Sequence, residues 1–261
     1  MMKTQRWAVV TGASGGIGRD IARELAARAY NLVLTARDEA KLQTLATALT
    51  ADHGVSCLCV PVDLGAIDGP EQLVARIAAA GISPSVLVNN AGYGVYGPLA
   101  GADVAQTQGM IDLNIGALTR LTMRLLPDLL RQGRGHILNV ASTAAFQPGP
   151  GMAVYFASKA YVLSFSEALD AELRSQGVRV TALCPGATLT DFGTRAQGER
   201  SALFKGRLAT SEAVARYGVQ AMERGQRVAV HGLFNRLLAM GVRFTPRPLA
   251  TALAGWKMRE V

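Results

Sequence analysis

Two side chains that can move a proton lie four residues apart, in the sequence Tyr155-Phe156-Ala157-Ser158-Lys159. The segment opens a strongly helical stretch, so Tyr155 and Lys159 are predicted to share one helix face. A neighbouring ammonium favours phenolate over phenol and lowers the pKa of a tyrosine from about 10 toward working pH. The pair therefore indicates a tyrosine general acid/base, although Tyr-x3-Lys alone is common and is usually a surface pair.

Ser142 is a second polar side chain in a position to meet a ligand. It precedes Tyr155 by 13 residues and follows a predicted strand that ends in Asn139-Val140-Ala141. Its hydroxyl is thus predicted at the carboxyl edge of a sheet, where open α/β folds bind their ligands.

A glycine-rich turn, TGASGGIG at residues 11–18, follows the first predicted strand and opens a helix. Glycines let the backbone approach a pyrophosphate, and the free N–H groups and dipole of a helix N-terminus favour its negative charge. The spacing Gly12-x3-Gly16-x-Gly18 differs from the common G-x-G-x-x-G fingerprint. Its strand-turn-helix placement nevertheless predicts a dinucleotide site, with a tight structural turn as the alternative.

The end of the second predicted strand, Leu34-Thr35-Ala36-Arg37, bears on which dinucleotide is accepted. An acidic side chain there would accept hydrogen bonds from a free ribose 2′-hydroxyl, whereas an arginine suits a 2′-phosphate. Arg37 therefore predicts NADP(H), and the alternative is a solvated arginine at a strand end.

Strand-length apolar runs alternate with segments of helical period along the chain. Near-continuous apolar strands separated by helices predict a parallel sheet covered by helices on both faces. We therefore predict an α/β fold with one doubly wound parallel sheet of about seven strands. The predicted strands are residues 7–10, 31–35, 55–62, 86–89, 136–140, 179–183 and 227–230.

The chain has 261 residues, of which 49% are apolar and 18% charged, so it has ample material for one core. We assign residues 1–261 to a single dinucleotide-binding catalytic domain. Within it, the polar, glycine-punctuated segment 188–208 is predicted to be lid-like, and segment 231–261 is basic and amphipathic. The apolar runs are too short to span a bilayer and no secretory signal is evident, so we expect a cytoplasmic protein.

Taken together, these motifs resemble those of the short-chain dehydrogenase/reductase family. The match runs from about residue 6 to residue 230, in the family's order and at its usual separations. The resemblance implies a Rossmann-type fold and an NADP(H)-dependent oxidoreductase that interconverts a carbonyl and a secondary alcohol. The matching elements are the turn at 11–18, Asn89-Asn90-Ala91-Gly92, Asn114, Ser142, Tyr155-x3-Lys159 and Pro185-Gly186-x3-Thr190.

The resemblance also implies catalytic roles for four residues. Tyr155 would protonate the developing alkoxide, or take the hydroxyl proton in the oxidation direction. Lys159 would lower the pKa of Tyr155 and hold the nicotinamide ribose, and Ser142 would hydrogen-bond the substrate oxygen. Asn114 would support a proton-relay water near Lys159.

The same resemblance implies a set of cofactor contacts. Asp63 would bind the adenine amino group and Thr190 the nicotinamide carboxamide. Asp63 could instead cap the next turn, and Asn89 or Asn90 could satisfy loop backbone. Family members that use NADP(H) often carry a basic residue where this chain has Gly15, so cofactor choice rests on Arg37. The full set is Gly12, Ser14, Gly16, Ile17, Gly18, Arg37, Asp63, Asn90, Gly92, Tyr155, Lys159, Pro185, Gly186 and Thr190.

The side chains expected near the pocket mouth are mostly apolar, which favours a hydrophobic or lipid-like carbonyl over a sugar. Some of them could instead pack in the core. The candidate substrate residues are Tyr93, Tyr96, Phe146, Met152 and Phe192, with Val95 beside them.

The formal charge of +8 is concentrated near the C-terminus, because residues 191–261 hold 12 Lys and Arg against 5 Asp and Glu. This basic part could attract the cofactor or an anionic substrate, or could simply keep the surface soluble. Its helical spacing allows a membrane-surface helix, an oligomer contact or a solvated cap.

Other partners follow from composition and from the resemblance. We expect a homo-oligomer, either a dimer or a tetramer. No basic run with interleaved aromatics indicates nucleic acid. Cys57, Cys59 and Cys184 have no disulfide pattern and no nearby Cys/His pair, so no metal is expected.

Three classes of function remain open at this point. The first is an NADP(H)-dependent oxidoreductase, and the second is a non-catalytic dinucleotide sensor on the same fold. The third is a peripheral membrane protein that uses the basic C-terminus. The complete set of Asn114, Ser142, Tyr155 and Lys159 favours the oxidoreductase.

Overall fold

The computed structural model describes residues 6–190 and 208–258. The strands are β1 (Trp7–Thr11), β2 (Asn31–Ala36), β3 (Cys57–Pro61), β4 (Val86–Asn89), β5 (Gly135–Val140), β6 (Val178–Cys184), β7 (Thr188–Leu189), β8 (Ala209–Thr210) and β9 (Val228–Val230). The α-helices are α1 (Gly16–Ala26), α2 (Glu39–His53), α3 (Gly69–Ala79), α4 (Val104–Ile111), α5 (Leu118–Arg131), α6 (Ala153–Leu173), α7 (Ser211–Glu223), α8 (Leu233–Val242) and α9 (Arg247–Lys257).

Seven of these strands form one sheet in the order β3-β2-β1-β4-β5-β6-β9, and every neighbouring pair is parallel. The prediction of a doubly wound parallel sheet of about seven strands is confirmed. The chain reverses its direction of travel across the sheet between β1 and β4. In open α/β folds this switch point opens the crevice in which ligands bind.

Successive side chains along each strand point to opposite faces of the sheet and contribute to two separate hydrophobic layers. Ala8 and Val10 of β1 pack on one face with apolar residues of α1, α2 and α7. Val9 points to the other face, where α3, α5 and α6 contribute Leu73, Leu125 and other apolar side chains. Because both faces are covered, the strands are mostly apolar and lack the alternation of a half-exposed sheet.

The structure differs from the sequence prediction in several element bounds. The apolar spacing Ile17, Ile21, Leu25 and Ala29 predicts a first helix through Ala29. α1 instead ends at Ala26, and Ala29 adopts a left-handed φ of +60° in the turn to β2. The first two residues of the predicted lid-like segment 188–208 form β7, which pairs in parallel with β8 directly after the segment. Within that segment, residues 191–207 lie outside the described residues.

No helix in residues 6–190 and 208–258 combines the length and the apolar character that a bilayer span requires. The basic C-terminal segment, predicted as one amphipathic stretch, forms the two helices α8 and α9 over its described part. The break falls at residues 243–246, before Arg247-Pro248, because proline favours the first turn of a helix and is disfavoured in its interior.

Candidate active site

The predicted site residues gather at one edge of the sheet because the carboxyl ends of parallel strands lie together. β1 to β6 run in the same direction, and the loop after each one starts at this edge. The residues that follow the six strands are Gly12 after β1, Arg37 after β2, Asp63 after β3, Asn90 and Gly92 after β4, Ser142 after β5, and Pro185 and Gly186 after β6.

Asn90 ties the glycine-rich turn into the switch point between β1 and β4. Its Nδ2 donates to the carbonyl oxygens of Thr11 at 2.9 Å and Gly12 at 3.3 Å. The Thr11 hydroxyl in turn accepts from the backbone N–H groups of Asn90 at 2.9 Å and Ala91 at 3.0 Å. Asn90 therefore supports the turn with its side chain, which is the structural alternative that the sequence left open.

Glycine is required in this turn for space and for conformation. Gly12 and Gly16 have φ values of +65° and +52°, in the left-handed region. A Cβ on Gly18 would lie 2.3 Å from Nδ2 of Asn90 and 2.4 Å from the carbonyl oxygen of Gly12. The backbone at Gly18 thus packs so closely against Gly12 and Asn90 that no side chain fits there.

The start of α1 fits an anionic group such as a pyrophosphate. Within the described part of the chain, no side chain caps the first N–H groups of α1, and its first turn has no acidic residue. These donors and the helix dipole remain available to a negative charge. Thr190, which follows β6 in the chain, lies against the glycine-rich turn. A Cβ atom placed on Gly16 would be 3.1 Å from Cγ2 of Thr190. Ser14 and Ile17 are half-buried beside it.

Arg37 and Asp63 lie at the far end of this edge, on the loops after β2 and β3. Arg37 is exposed, and no ion pair joins it to another of the described residues. Asp63 is also exposed and accepts from the backbone N–H of Gly65 at 3.0 Å. One carboxylate oxygen of Asp63 therefore caps the following turn, and the other is left for a ligand.

Tyr155, Ser142 and Lys159 come together below the loop that follows β5. The Tyr155 phenol is hydrogen-bonded to the Ser142 side chain, whose Oγ also accepts from the backbone N–H of Ala144 at 3.1 Å. Lys159 Nζ donates to the carbonyl oxygen of Val140 at 2.8 Å and lies 5.9 Å from the centroid of the Tyr155 ring. The predicted shared helix face is thus present, and it faces inward.

Burial governs the protonation of this pair. It raises the pKa of Tyr155 to about 12, against the opposing effect of the hydrogen bond with Ser142. Burial also lowers the pKa of Lys159 to about 8. The expectation that Lys159 brings the pKa of Tyr155 toward neutrality is wrong here, because desolvation of the phenolate outweighs every lowering effect. Tyr155 is a phenol at neutral pH, which is the form that donates a proton.

Asn114 occupies a π-helical turn, Asp112–Ala117, between α4 and α5. Its Oδ1 accepts from the backbone N–H of Tyr93 at 3.1 Å, and its Nδ2 donates to the Tyr93 carbonyl at 2.9 Å and to Ser158 Oγ at 3.1 Å. A Cβ on Gly92 would lie 2.8 Å from this Oδ1 and 3.6 Å from Lys159 Nζ. Asn114 thus joins the loop after β4 to α6 beside Lys159.

The predicted substrate residues fall into separate groups. Met152, Tyr93 and Tyr96 belong to an apolar cluster that contains Tyr155. The Tyr93 hydroxyl donates to the carbonyl of Gln106 at 2.6 Å, and that of Tyr96 donates to the carbonyl of Met258. Phe146 packs in a different cluster and lines a different cavity, so the structure does not bring it to the others. Phe192 lies outside the described residues.

Sequence reasoning missed a buried polar network that supports the site. Asn89 Nδ2 donates to Asn139 Oδ1 at 2.9 Å and to the Thr122 hydroxyl at 3.1 Å, and Asn139 Nδ2 donates to Ser166 Oγ at 2.9 Å. The network links β4, β5, α5 and α6 at the level of the site. The asparagines at or next to the ends of the apolar runs of β4 and β5 were the available signal. Nothing in the sequence marked Ser158, which accepts a hydrogen bond from Asn114, as a site residue, apart from its place between Tyr155 and Lys159.

Comparison with known proteins identifies relatives of this chain. The very-long-chain 3-oxoacyl-CoA reductase of Anas platyrhynchos is 38% identical over 185 residues, which cover 69% of this chain and 58% of that protein. This chain therefore spans less than two thirds of the length of that curated relative.

Two solved structures cover nearly the whole chain. A short-chain dehydrogenase from Sphingobium yanoikuyae in complex with NADPH has 30% identity and a TM-score of 0.81, covering 92% of this chain and 94% of that one. The bulky-bulky ketone specific alcohol dehydrogenase from Comamonas testosteroni has 28% identity and a TM-score of 0.78, covering 94% and 96%. The family profile described as short chain dehydrogenase matches residues 6–201. The chain belongs to the short-chain dehydrogenase family.

Proposed function

We propose that this protein is an NADP(H)-dependent reductase that converts a hydrophobic ketone to a secondary alcohol, with Tyr155 as the proton donor. The observation that carries the proposal is the buried Tyr155 phenol, hydrogen-bonded to Ser142 with Lys159 on the same helix face. A sensor that only bound a dinucleotide would have no use for a buried acid of this kind. The NADPH bound to the Sphingobium dehydrogenase supports the choice of cofactor.

The residues present fit a nicotinamide dinucleotide. The turn of Gly12, Gly16 and Gly18 and the uncapped start of α1 would hold the pyrophosphate, and Asp63 would meet the adenine. A Cβ on Gly92 would lie 2.8 Å from Oδ1 of Asn114, so only glycine lets the backbone pass this close to Asn114 and Lys159. When bound, NADPH would supply a hydride to the carbonyl carbon.

The remaining chemistry is done by the protein's own side chains. Ser142 and Tyr155 are close enough to hydrogen-bond one carbonyl oxygen, and this polarises the carbon for attack. As the oxygen gains negative charge, Tyr155 gives it the phenolic proton. The Lys159 ammonium stabilises the phenolate that is left, until a proton from solvent restores the phenol. Asn114, bonded to the Tyr93 backbone and to Ser158, holds the loop after β4 against α6 beside Lys159.

Apolar side chains next to Tyr155 favour a hydrophobic substrate. A small cavity of about 40 Å³ is lined by Val95, Met110, Met152 and Val154, all of which belong to the Tyr155 cluster. Apolar walls of this kind are typical of sites that bind hydrophobic ligands. The substrates named for two relatives, a 3-oxoacyl-CoA and bulky ketones, are compatible with this choice.

Arg37→Asp should change the cofactor preference. It removes a charge-assisted bond to the 2′-phosphate and places a like charge there, so NADPH should bind about 10–100-fold more weakly while NADH binding changes little. Fluorescence titration of both cofactors measures this. Arg76→Asp, the same charge change at an exposed position on α3, is the control. Equal losses for both cofactors with Arg37→Asp would remove Arg37 from this role.

The rate of reduction should fall at alkaline pH because Lys159 loses its charge. With NADPH saturating, kcat/KM for a neutral ketone should be constant below about pH 7 and decline above an apparent pKa near 8. Tyr155, with its pKa of about 12, stays protonated throughout this range. In Lys159→Arg the guanidinium keeps its charge, so the decline should vanish in whatever activity remains. A decline near pH 8 that persists in Lys159→Arg would rule out Lys159 as its origin.

A substrate screen tests the function itself. The full chain is mixed with NADPH and a graded set of ketones, from a short linear ketone to bulky aryl ketones and 3-oxoacyl thioesters, and nicotinamide absorbance is followed. We expect kcat/KM to rise with apolar size. NADPH oxidation with none of these, or a preference for sugars, would contradict the proposal.

A further inference from the structure

The two helices at the C-terminal end, α8 and α9, carry a large apolar surface on the outside of the protein. Nine of the fifteen large apolar side chains that are exposed in the described part of the chain lie between residues 233 and 256. Among them, Phe234 and Trp256 are each 67% exposed. Concentrated exposure of this kind marks a surface that meets a partner.

The apolar side chains of α8 lie on one side of the helix. Leu233, Leu237 and Met240 follow the i, i+4, i+7 spacing and are each more than half exposed. Ala239, on the opposite side, is buried against the body of the protein. α8 therefore shows its apolar stripe to the outside, which is the reverse of a helix that covers a core.

The same arrangement recurs in α9. Leu249, Leu253 and Trp256 have the same spacing and are each more than half exposed, whereas Ala250 is buried. The two helices meet where Lys257 Nζ lies 5.8 Å from the centroid of the Phe234 ring, which places the end of α9 at the start of α8. Ala239 of α8 and Ala250 of α9 line the same cavity, so both helices turn their buried sides to it and their stripes away from it. We call the two stripes together the α8–α9 face.

The charge around this face has a single sign. Between Glu223 and Glu260 the sequence has seven Lys and Arg residues and no Asp or Glu. Arg236 and Arg243 are seven residues apart, at the edge of the α8 stripe, and both are exposed. The α8–α9 face is thus apolar in its centre and cationic at its border.

We propose that the α8–α9 face docks the protein on the surface of a bilayer that contains anionic lipids. Helices with Trp, Phe and Leu on one side and Arg or Lys beside them lie in the interface, with the apolar side chains at the acyl boundary and the cations among the headgroups. A second copy of this chain is the competing occupant. Two-fold pairing through this face would bring the same cationic border against itself, and this like-charge contact is unfavourable.

Docking in this way would bring a cavity of the enzyme close to the bilayer. Ala239 and Val242 of α8 form one wall of a cavity of about 240 Å³, and Phe146 and Pro148 of the loop after Ser142 form the other. A protein that rests on the α8–α9 face would have this cavity behind α8, separated from the lipid by about the 10 Å diameter of one helix. The docking proposal itself stands apart from the proposed reaction, because vesicle binding needs neither cofactor nor turnover.

Vesicle sedimentation with the full chain tests the proposal. The protein is mixed with phosphatidylcholine vesicles, either pure or containing phosphatidylglycerol, at low and at high salt. We expect sedimentation with the anionic vesicles at low salt and much less with the neutral ones. Added salt should weaken binding because it screens the charge. Failure to sediment with anionic vesicles, or equal sedimentation with both kinds, would overturn the proposal.

Two double variants separate the contributions of charge and apolar contact. Arg236→Gln with Arg243→Gln should weaken binding to anionic vesicles about 25-fold, at about fivefold per charge. Phe234→Ser with Trp256→Ser should weaken it at least as much. The matched control is Met123→Ser, which changes another side chain that is 67% exposed, on α5.

Folding and assembly of the variants are followed by thermal melting and sedimentation velocity. Melting temperatures like that of the wild type, with vesicle binding lost only in the two double variants, support the proposal. Unchanged vesicle binding in both double variants would overturn it. So would a dimer that the Phe234→Ser, Trp256→Ser variant converts to monomer, because a second copy would then cover the face.

Discussion

Tyr155→Phe is expected to lower kcat/KM for ketone reduction by about 10²–10⁴-fold, the range typical of a lost general acid. The substitution removes the phenolic proton that the developing alkoxide must receive, together with the hydrogen bond to Ser142. The ring stays in its apolar cluster with Met152 and Phe156, so no cavity opens and the fold is kept. NADPH-dependent turnover, measured beside NADPH affinity, separates the loss of chemistry from the loss of binding.

A second tyrosine on the same helix provides the control. Tyr161 lies on the outer side of α6, and its hydroxyl is hydrogen-bonded to that of Thr119 at 2.9 Å. Tyr161→Phe should leave turnover near the wild-type rate. If Tyr155→Phe behaves in the same way, Tyr155 is not the acid.

Lys159→Met should reduce kcat/KM by about 100-fold or more and should also weaken NADPH binding by about 10–100-fold. Both losses follow from one group, because the ammonium supports the phenolate and would donate to the nicotinamide ribose. Ketone reduction and cofactor titration at pH 7 measure the two effects. Lys41→Met, at an exposed position on α2, should change neither.

Stability distinguishes a catalytic Lys159 from a structural one. The fold lowers the pKa of Lys159 from its ordinary 10.5 to about 8, so burying the charge costs about 3 kcal/mol below pH 8. This cost declines as pH rises from 8 toward 10.5, because the folded state has already released the proton. Lys159→Met removes the cost, and its melting temperature at pH 7 should not fall. A large drop in melting temperature together with the loss of activity would indicate a structural role.

The sheet and the gathering of the site residues could be predicted from the sequence because both depend on local pattern. Apolar strand runs separated by helical segments fix a doubly wound sheet, and the residues that follow each strand then meet at one edge. Gly12 and Ser142 were placed correctly by this reasoning, whereas Asn90 was predicted from the family resemblance. The requirement for glycine at position 18 is also local, since it arises from the close approach of Gly12 and Asn90.

Features that depend on tertiary packing could not be predicted in this way. The π-helical turn around Asn114 has no signature in a helix-period pattern. The pKa of Tyr155 was expected to fall because Lys159 is near in sequence, but the depth of burial that raises it is a property of the whole fold. Phe146 lies close to Ser142 in sequence and yet packs in another cluster. The helical spacing of α8 was visible, but not that its apolar stripe faces outward.

Transfer of deuterium tests the central claim most directly. The full chain is given a bulky ketone and NADPH carrying deuterium at the nicotinamide carbon that releases the hydride, and the alcohol is analysed by mass spectrometry. The account predicts one deuterium on the carbinol carbon per NADPH oxidised with the wild type, and product formation at least 100-fold slower with Tyr155→Phe. Alcohol without deuterium, or labelled alcohol formed equally fast by Tyr155→Phe, would contradict it.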